Sequence, residues 1–198
     1  MDAQKIKSKL VFTVTLVLIL NQMVLGQAVP FISENWRIID NENNQNLDFH
    51  TTTYKGENTV RLGRHKIARL EGKTYENFVL EVDIAGKAMP GIGFHASDLW
   101  DYEFLYCRVF SGGKTDALQY APVYNGALPW QLYNAPNYET MAVFEPEEWF
   151  HLKIEVYGNL MRVFVGEDDE PEMEVALLQK EAEKGAIFLK TSFAEAYF

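Results

Sequence analysis

From Asp116 to Asn134 the chain reads DALQYAPVYNGALPWQLYN, and Asp116 is the one formal charge in it. Tyr120, Tyr124, Trp130 and Tyr133 are interleaved there with the amides Gln119, Asn125, Gln131 and Asn134. Flat rings that lie on C–H faces, beside amides that bond hydroxyls, suit a saccharide surface. The same residues suit a long loop packed onto a sheet, and their types leave both readings open. A second group carries acid–base chemistry. Glu81 and Asp83 are two residues apart, so on a strand they share a face, and a close carboxylate pair can act as nucleophile and acid/base. His95 and Arg108 are further candidates, as a proton carrier and as a charge-assisted hydrogen-bond donor.

Strands must position these groups, because alternation of apolar and polar residues dominates the chain. Phe78, Leu80, Val82 and Ile84 alternate with Glu81 and Asp83, and Leu152, Ile154 and Val156 alternate in the same way. After a Gly158-Asn159 turn, Met161, Val163 and Val165 predict the partner strand of a hairpin. Further strands are predicted at 47–53, 58–62, 66–70, 91–97, 102–110, 141–144, 173–178 and 186–190. Only 177–184 suits a helix, and Asp40 to Asp48 reads as a polar loop. The last residues, after a turn near Ala194, predict a short terminal edge strand or a clipped final strand. Many strands without βα alternation predict an all-β, two-sheet antiparallel sandwich or jelly roll.

Parity then sorts the side chains. Leu105, Cys107 and Val109 make one face of the 102–110 strand; Tyr102, Phe104, Tyr106, Arg108 and Phe110 make the other. That second face is too aromatic for bare solvent, so a chain segment or a ligand must cover it. In the 91–97 strand, Ile92, Phe94 and Ala96 point inward, and Gly93, His95 and Ser97 outward. If these two strands and 78–84 share a sheet, Glu81, Asp83, His95, Tyr106 and Arg108 share its non-core face. Glycines 91 and 93 would then admit a close approach of backbone or ligand. Each group also has an ordinary alternative: solvated acids, a packed histidine, Arg108 paired with Glu103 or Asp116, and aromatic rings that only pack.

Composition sets the compartment and excludes some partners. Lys5, Lys7 and Lys9 precede the uncharged run Leu10–Leu20, and small residues follow at Gly26 and Ala28, so residues 1–27 read as a signal peptide. The apolar run is shorter than the ~20 residues that a membrane span needs. The remainder, 28–198, suits one domain, secreted or periplasmic, with no membrane span of its own. The chain holds 28 acids against 18 bases, a net charge of −10. Such a surface repels phosphate backbones, which argues against a nucleic-acid partner. Cys107 is the only cysteine, so there is no intrachain disulfide and no thiolate zinc site; its place in an apolar alternation predicts a buried small hydrophobe.

The segments NFVLEVDI, GIGFHASDLWDYEFLYCRV and DALQYAPVYNGALPWQLY, with EEWFHLKIEVYG, the Pro171 turn and the closing AYF, resemble secreted concanavalin A-like lectin/glucanase domains of the laminin G-like type. The resemblance implies a jelly roll whose concave sheet is a carbohydrate surface. In the laminarinase-like hydrolases of glycoside hydrolase family 16, which share the fold, the signature is Glu-x-Asp-x-(x)-Glu. Glu81 and Asp83 match its first two acids, but Ala85 and Gly86 stand where the third belongs, which argues against that chemistry. Relatives that bind calcium at the sandwich rim make Asp98, Asp101, Glu103 and Asp116 candidate oxygen ligands, although no EF-hand-like spacing is present. No other cofactor is expected.

The leading expectation is a secreted carbohydrate-binding module that uses the concave face and the 111–134 segment. Tyr106, Tyr120 and Trp130 would stack on sugar rings, Gln119, Asn125 and Gln131 would bond hydroxyls, and Arg108 would add a charge-assisted bond. One alternative is a glycoside hydrolase-like enzyme on polysaccharide, working through Glu81, Asp83 and His95. The other is a structural or adhesive envelope domain in which the 111–134 segment simply closes over the sheet.

Overall fold

A computed structural model describes residues 26–177 and 184–198. The predicted signal peptide and helix lie almost wholly outside the described residues. The strands, numbered in chain order, are β1 (Trp36–Asp40), β2 (Gln45–Leu47), β3 (Thr51–Tyr54), β4 (Glu57–Leu62), β5 (Lys66–Leu70), β6 (Phe78–Gly86), β7 (Pro90–Ala96) and β8 (Tyr102–Cys107). They continue with β9 (Leu118–Val123), β10 (Glu139–Thr140), β11 (Trp149–Tyr157), β12 (Leu160–Val165), β13 (Met173–Ala176), β14 (Ala186–Thr191) and β15 (Ala196–Tyr197). Short 3₁₀ turns cover Val109–Ser111 and Trp130–Leu132.

These strands form two antiparallel sheets. The eight-stranded sheet has the order β10-β9-β8-β7-β14-β5-β1-β2, and the seven-stranded sheet β13-β12-β11-β6-β15-β4-β3. The fold is therefore the expected concanavalin A-like sandwich. Alternation builds its core: Ile84, Leu152, Ile154 and Val163 from one sheet meet Ile92, Leu105, Cys107, Leu118 and Leu189 from the other, all buried. Burial of such aliphatic side chains stabilises the fold by roughly 1.5–3 kcal/mol each. The β11–β12 hairpin turns at Gly158, where φ is +59° and glycine is favoured.

Several boundaries differ from expectation, each for a local reason. The predicted 47–53 strand is two strands, because the chain crosses at Asp48–His50 from the eight-stranded sheet to the seven-stranded one. The 102–110 strand stops at Cys107, where Arg108 N–H turns to bond Ala117 O at 2.7 Å. Residues 141–144 are not a strand, although Ala142 and Phe144 still pack into the core. Three strands were not anticipated, β1, β9 and the two-residue β10, and the predicted 40–48 loop is a hairpin turn whose far side is β2, paired with β1. Within β9 the alternation is masked by Gln119, and Pro122 sits where β10 no longer covers it, a place proline tolerates. The terminal strand is not an edge: β15 lies between β6 and β4, and Phe198 exchanges backbone hydrogen bonds with Val60.

Candidate functional site

One sheet is apolar on both faces. The inner face of the eight-stranded sheet belongs to the core; its outer face carries a second buried cluster that includes Ile67, Tyr102, Phe104, Tyr106, Val123 and Phe188. Strand register places these groups in two cross-strand rows. One runs Ile39, Ile67, Lys190, Gly91, Tyr106, Gln119; the other runs Arg37, Arg69, Phe188, Gly93, Phe104, Ala121. The glycines make room for rings, not for a ligand. A Cβ at Gly93 would lie 2.1 Å from Phe188 Cζ, and one at Gly91 would lie 2.7 Å from Phe104 Cε2. The rings then pack against one another, Tyr102 edge-on to Phe188 at 4.8 Å between centroids and Phe104 stacked on Tyr106 at 5.0 Å.

Two cations stand on this aromatic floor. Arg108 Nη2 donates to Gln119 Oε1 at 2.6 Å and Nη1 to Asp116 at 2.8 Å, with Glu139 3.7 Å away. Its guanidinium lies 5.7 Å from the Tyr106 ring centroid and 5.3 Å from that of Trp130. Gln119 in turn donates to the backbone carbonyls of Trp130 and Tyr133, and Tyr106 O–H donates to Gln119, so one buried amide ties the excursion after β9 to the sheet. Burial pushes the Tyr106 hydroxyl up to about 12. Lys190 is the second cation. Its Nζ donates to Tyr102 O–H at 2.5 Å and lies 5.1 and 5.4 Å from the Tyr102 and Phe104 ring centroids. No ion pair is recorded for it among the described residues, and burial lowers its pKa from 10.5 to about 8.

The rim of this face is aromatic and partly open. Trp100, Tyr124 and Trp130 are 48%, 40% and 42% exposed. Their loops are held in place. Asp98 Oδ1 accepts from Trp100 N–H and Asp101 N–H at 2.6 and 2.9 Å, Asp101 Oδ1 accepts from Asn125 N–H at 3.0 Å, and Gly126 N–H donates to Trp100 O at 2.8 Å. At Gly126, φ is +77° and a Cβ would lie 2.7 Å from the Trp100 ring, so the turn needs glycine there.

The predicted site divides accordingly. Tyr106, Arg108, Gln119 and Trp130 come together, and Asn125 and Gln131 lie exposed on the same excursion. Tyr120 does not join them. It points into the inter-sheet core and donates to Glu103 Oε2 at 2.6 Å, because parity in β9 sets Tyr120 opposite to Gln119. Glu81 and Asp83 are also elsewhere: β6 belongs to the other sheet, where these acids flank His151, with Asp83 Oδ1 2.8 Å from its Nδ1 and Glu81 4.0 Å from its Nε2. His95 sits at φ +48° in an irregularity of β7 that breaks the parity; it carries Ala96 onto the outer cluster. Its ring lies edge-on to Phe78 and Phe94, its Nε2 is 2.8 Å from Glu76 O, and burial lowers its pKa. The hydrolase set Glu81, Asp83, His95 therefore does not assemble on the Arg108 face.

Nor do the four calcium candidates converge. Glu103 is buried in the core, Asp116 pairs with Arg108, and Asp98 and Asp101 cap turns. Among the described residues, no group of three or more His, Cys, Asp or Glu is placed to hold a metal ion. Sequence reasoning missed Trp100, Lys190, Arg69 and Arg37. For Lys190 a signal was present: Ile187 and Leu189 alternate with Phe188 and Lys190 in a predicted strand.

The carbohydrate-binding module CBM66 from Bacillus subtilis has a similar structure, with a TM-score of 0.60 and 17% identity over 85% of this chain and 96% of that one. The Bacillus licheniformis β-glucanase aligns at a TM-score of 0.54 and 13% identity, covering 85% of this chain and 91% of that one. A putative glycosyl hydrolase from Parabacteroides distasonis aligns at 0.52 and 13%, covering 83% and 85%. These likenesses are likenesses of fold. No curated protein matches the chain in sequence. A family model does match, across residues 33–198, which spans both sheets and every strand described above. The chain belongs to the 3-keto-alpha-glucoside-1,2-lyase-like domain family.

Proposed function

We propose that this is a saccharide-binding domain whose binding surface is the outer face of the eight-stranded sheet and its loop rim. One observation carries the reading: Trp100, Tyr124 and Trp130 stand partly exposed on hydrogen-bonded loops around a sheet face that holds Arg108 and Lys190. Large aromatics held in position lose little entropy when a ligand stacks on them. Asn125 and Gln131, exposed beside them, supply hydroxyl partners. Fold-level likeness to a carbohydrate-binding module and to glucan-active enzymes supports the same class of ligand. The leader-like residues 1–27 fit secretion, where polysaccharides are met. A glycan array followed by calorimetry tests the reading. A hit whose affinity falls at least about tenfold in Trp130→Ala supports it; a hit indifferent to both Trp130→Ala and Trp100→Ala would remove the rim from the site.

A second reading rests on Lys190 and on the family. A ketone at C3 of a sugar acidifies the neighbouring C2–H, so a base that takes this proton as the C1–O bond breaks would eliminate the aglycone. With its pKa near 8, Lys190 can hold or release a proton close to neutral pH, as a general base must. Its proton acceptor would be Nζ, and the departing oxygen would leave with the C1–O electron pair and take a proton from solvent. Release of p-nitrophenol from p-nitrophenyl 3-keto-α-glucoside, lost in Lys190→Met, would establish this reading. No release above the uncatalysed rate would return the face to binding alone.

A further inference from the structure

The saccharide surface is asymmetric in charge. At its β9 end, Arg108 is matched by two carboxylates, Asp116 and Glu139. At its β5 and β1 end, the balance reverses. Arg69 and Arg37 stand directly opposite each other on neighbouring strands, an arrangement that like charges disfavour. They share one carboxylate, Glu71, 2.6 Å from Arg37 and 4.0 Å from Arg69. Lys190 is their diagonal neighbour: its strand partner is Ile67, two residues from Arg69 on the same face. Two arginines thus share one carboxylate, and Lys190 on the next strand has no carboxylate partner among the described residues, in a chain whose net charge is −10.

A fold under no demand at this spot would replace a half-buried ammonium by an apolar side chain, since burial of an unmatched charge is costly. Aromatic rings and one hydroxyl offset part of that cost at Lys190. They supply no negative charge. Three strands, β8, β7 and β14, lie between β9 and β5 in the sheet order, so β14 is three inter-strand steps from β9 and β5 is four. At about 4.8 Å per strand this places the strands that carry Lys190 and Arg69 roughly 14–19 Å from β9, the length of a short oligosaccharide.

We propose that the face selects acidic saccharides, with Lys190 and Arg69 receiving the anionic group of a sugar whose chain runs on towards Trp130. This inference rests on the saccharide-binding reading and narrows its ligand class. The shared chemistry is a sugar-borne anion, and the test separates its two sources. Calorimetry would compare tetragalacturonate, its fully methyl-esterified form, and a sulfated oligosaccharide of the same length against the intact chain at low salt.

The acid or the sulfate is expected to bind at least about tenfold tighter than the ester, the whole advantage fading as salt is raised. Lys190→Met and Arg69→Gln should each remove most of that advantage, bringing the acid's affinity down to that of the ester. Preference for carboxylate over sulfate, or the reverse, names the anion. Equal affinity for acid and ester, or an acid preference that survives both substitutions, would overturn the inference. If only neutral glycans bind and Trp130→Ala abolishes that binding, the acidic ligand is refuted while the saccharide surface stands; binding of nothing in either set refutes both.

Discussion

Replacing Lys190 by methionine should make the protein more stable. The side chain keeps its length but loses a charge that the fold holds in a partly buried site with no carboxylate partner among the described residues. A pKa moved from 10.5 to about 8 corresponds to up to about 3 kcal/mol, at 1.36 kcal/mol per pH unit. Against this, the variant gives up the hydrogen bond to Tyr102 and the ring contacts of Nζ, together on the order of 1–2 kcal/mol. The expected net gain is about 1–2 kcal/mol at pH 7. Its pH dependence is distinctive. Below about pH 8 the folded and unfolded states both carry the proton, and the penalty is felt in full. Between about 8 and 10.5 the unfolded state holds the proton and the folded state does not, so the wild type gains stability as pH rises. Above 10.5 no penalty remains. Urea denaturation of both proteins at pH 7, 8.5 and 10 reads the difference directly. A gain that is largest at pH 7 and shrinks towards pH 10 supports the account. A variant that is less stable at pH 7, or a gap that ignores pH, would refute the view of Lys190 as a cation kept at the fold's expense.

Gly93→Ala forces a methyl against the Phe188 ring and should cost about 1–3 kcal/mol, read as a fall of several degrees in melting temperature. Tyr120→Phe deletes the hydroxyl that donates to buried Glu103 and should destabilise by about 1–3 kcal/mol in urea titration, with no change in ligand affinity because the ring faces the core. Cys107, whose thiol burial pushes up in pKa, should stay inert to a thiol reagent in the native protein and react only at the unfolding rate.

The sandwich was legible because period-two alternation reports burial on one side. β6, β11 and β12 carry it and formed close to their expected bounds, as did β5 and β14, which are buried on both faces. Sheet membership was not legible. Alternation says which face of a strand is buried, never which sheet the strand joins. For that reason Glu81 and Asp83, correctly read as outward, were assigned to a face that β6 does not share. Non-local pairing of β6 with β11 and β15 decided the matter.

Parity also fails where the backbone departs from the pleat. The positive φ at His95 turned that ring away from the Gly93 face, and nothing in the residue types announced it. The aromatic block was half legible. Its first residues are a strand that buries Tyr120 on one side and Gln119 on the other; its later residues are the rim that offers Trp130. Both readings left open by composition hold, in different parts of the same segment. Lys190 could have been found by extending the parity argument to 186–190, whose aliphatics fix the outward set.

The saccharide surface proposed above lies on the eight-stranded sheet and not on the seven-stranded one. Calorimetric titration of a glycan hit into wild type, Trp130→Ala and Asp83→Ala tests it most directly. Asp83 carries an exposed hydrogen bond with His151 on the opposite side of the sandwich, worth at most about 1 kcal/mol. The account predicts that Trp130→Ala weakens binding at least about tenfold while its melting temperature stays within a few degrees of wild type, and that Asp83→Ala binds as wild type does. Binding lost in Asp83→Ala and kept in Trp130→Ala would contradict it.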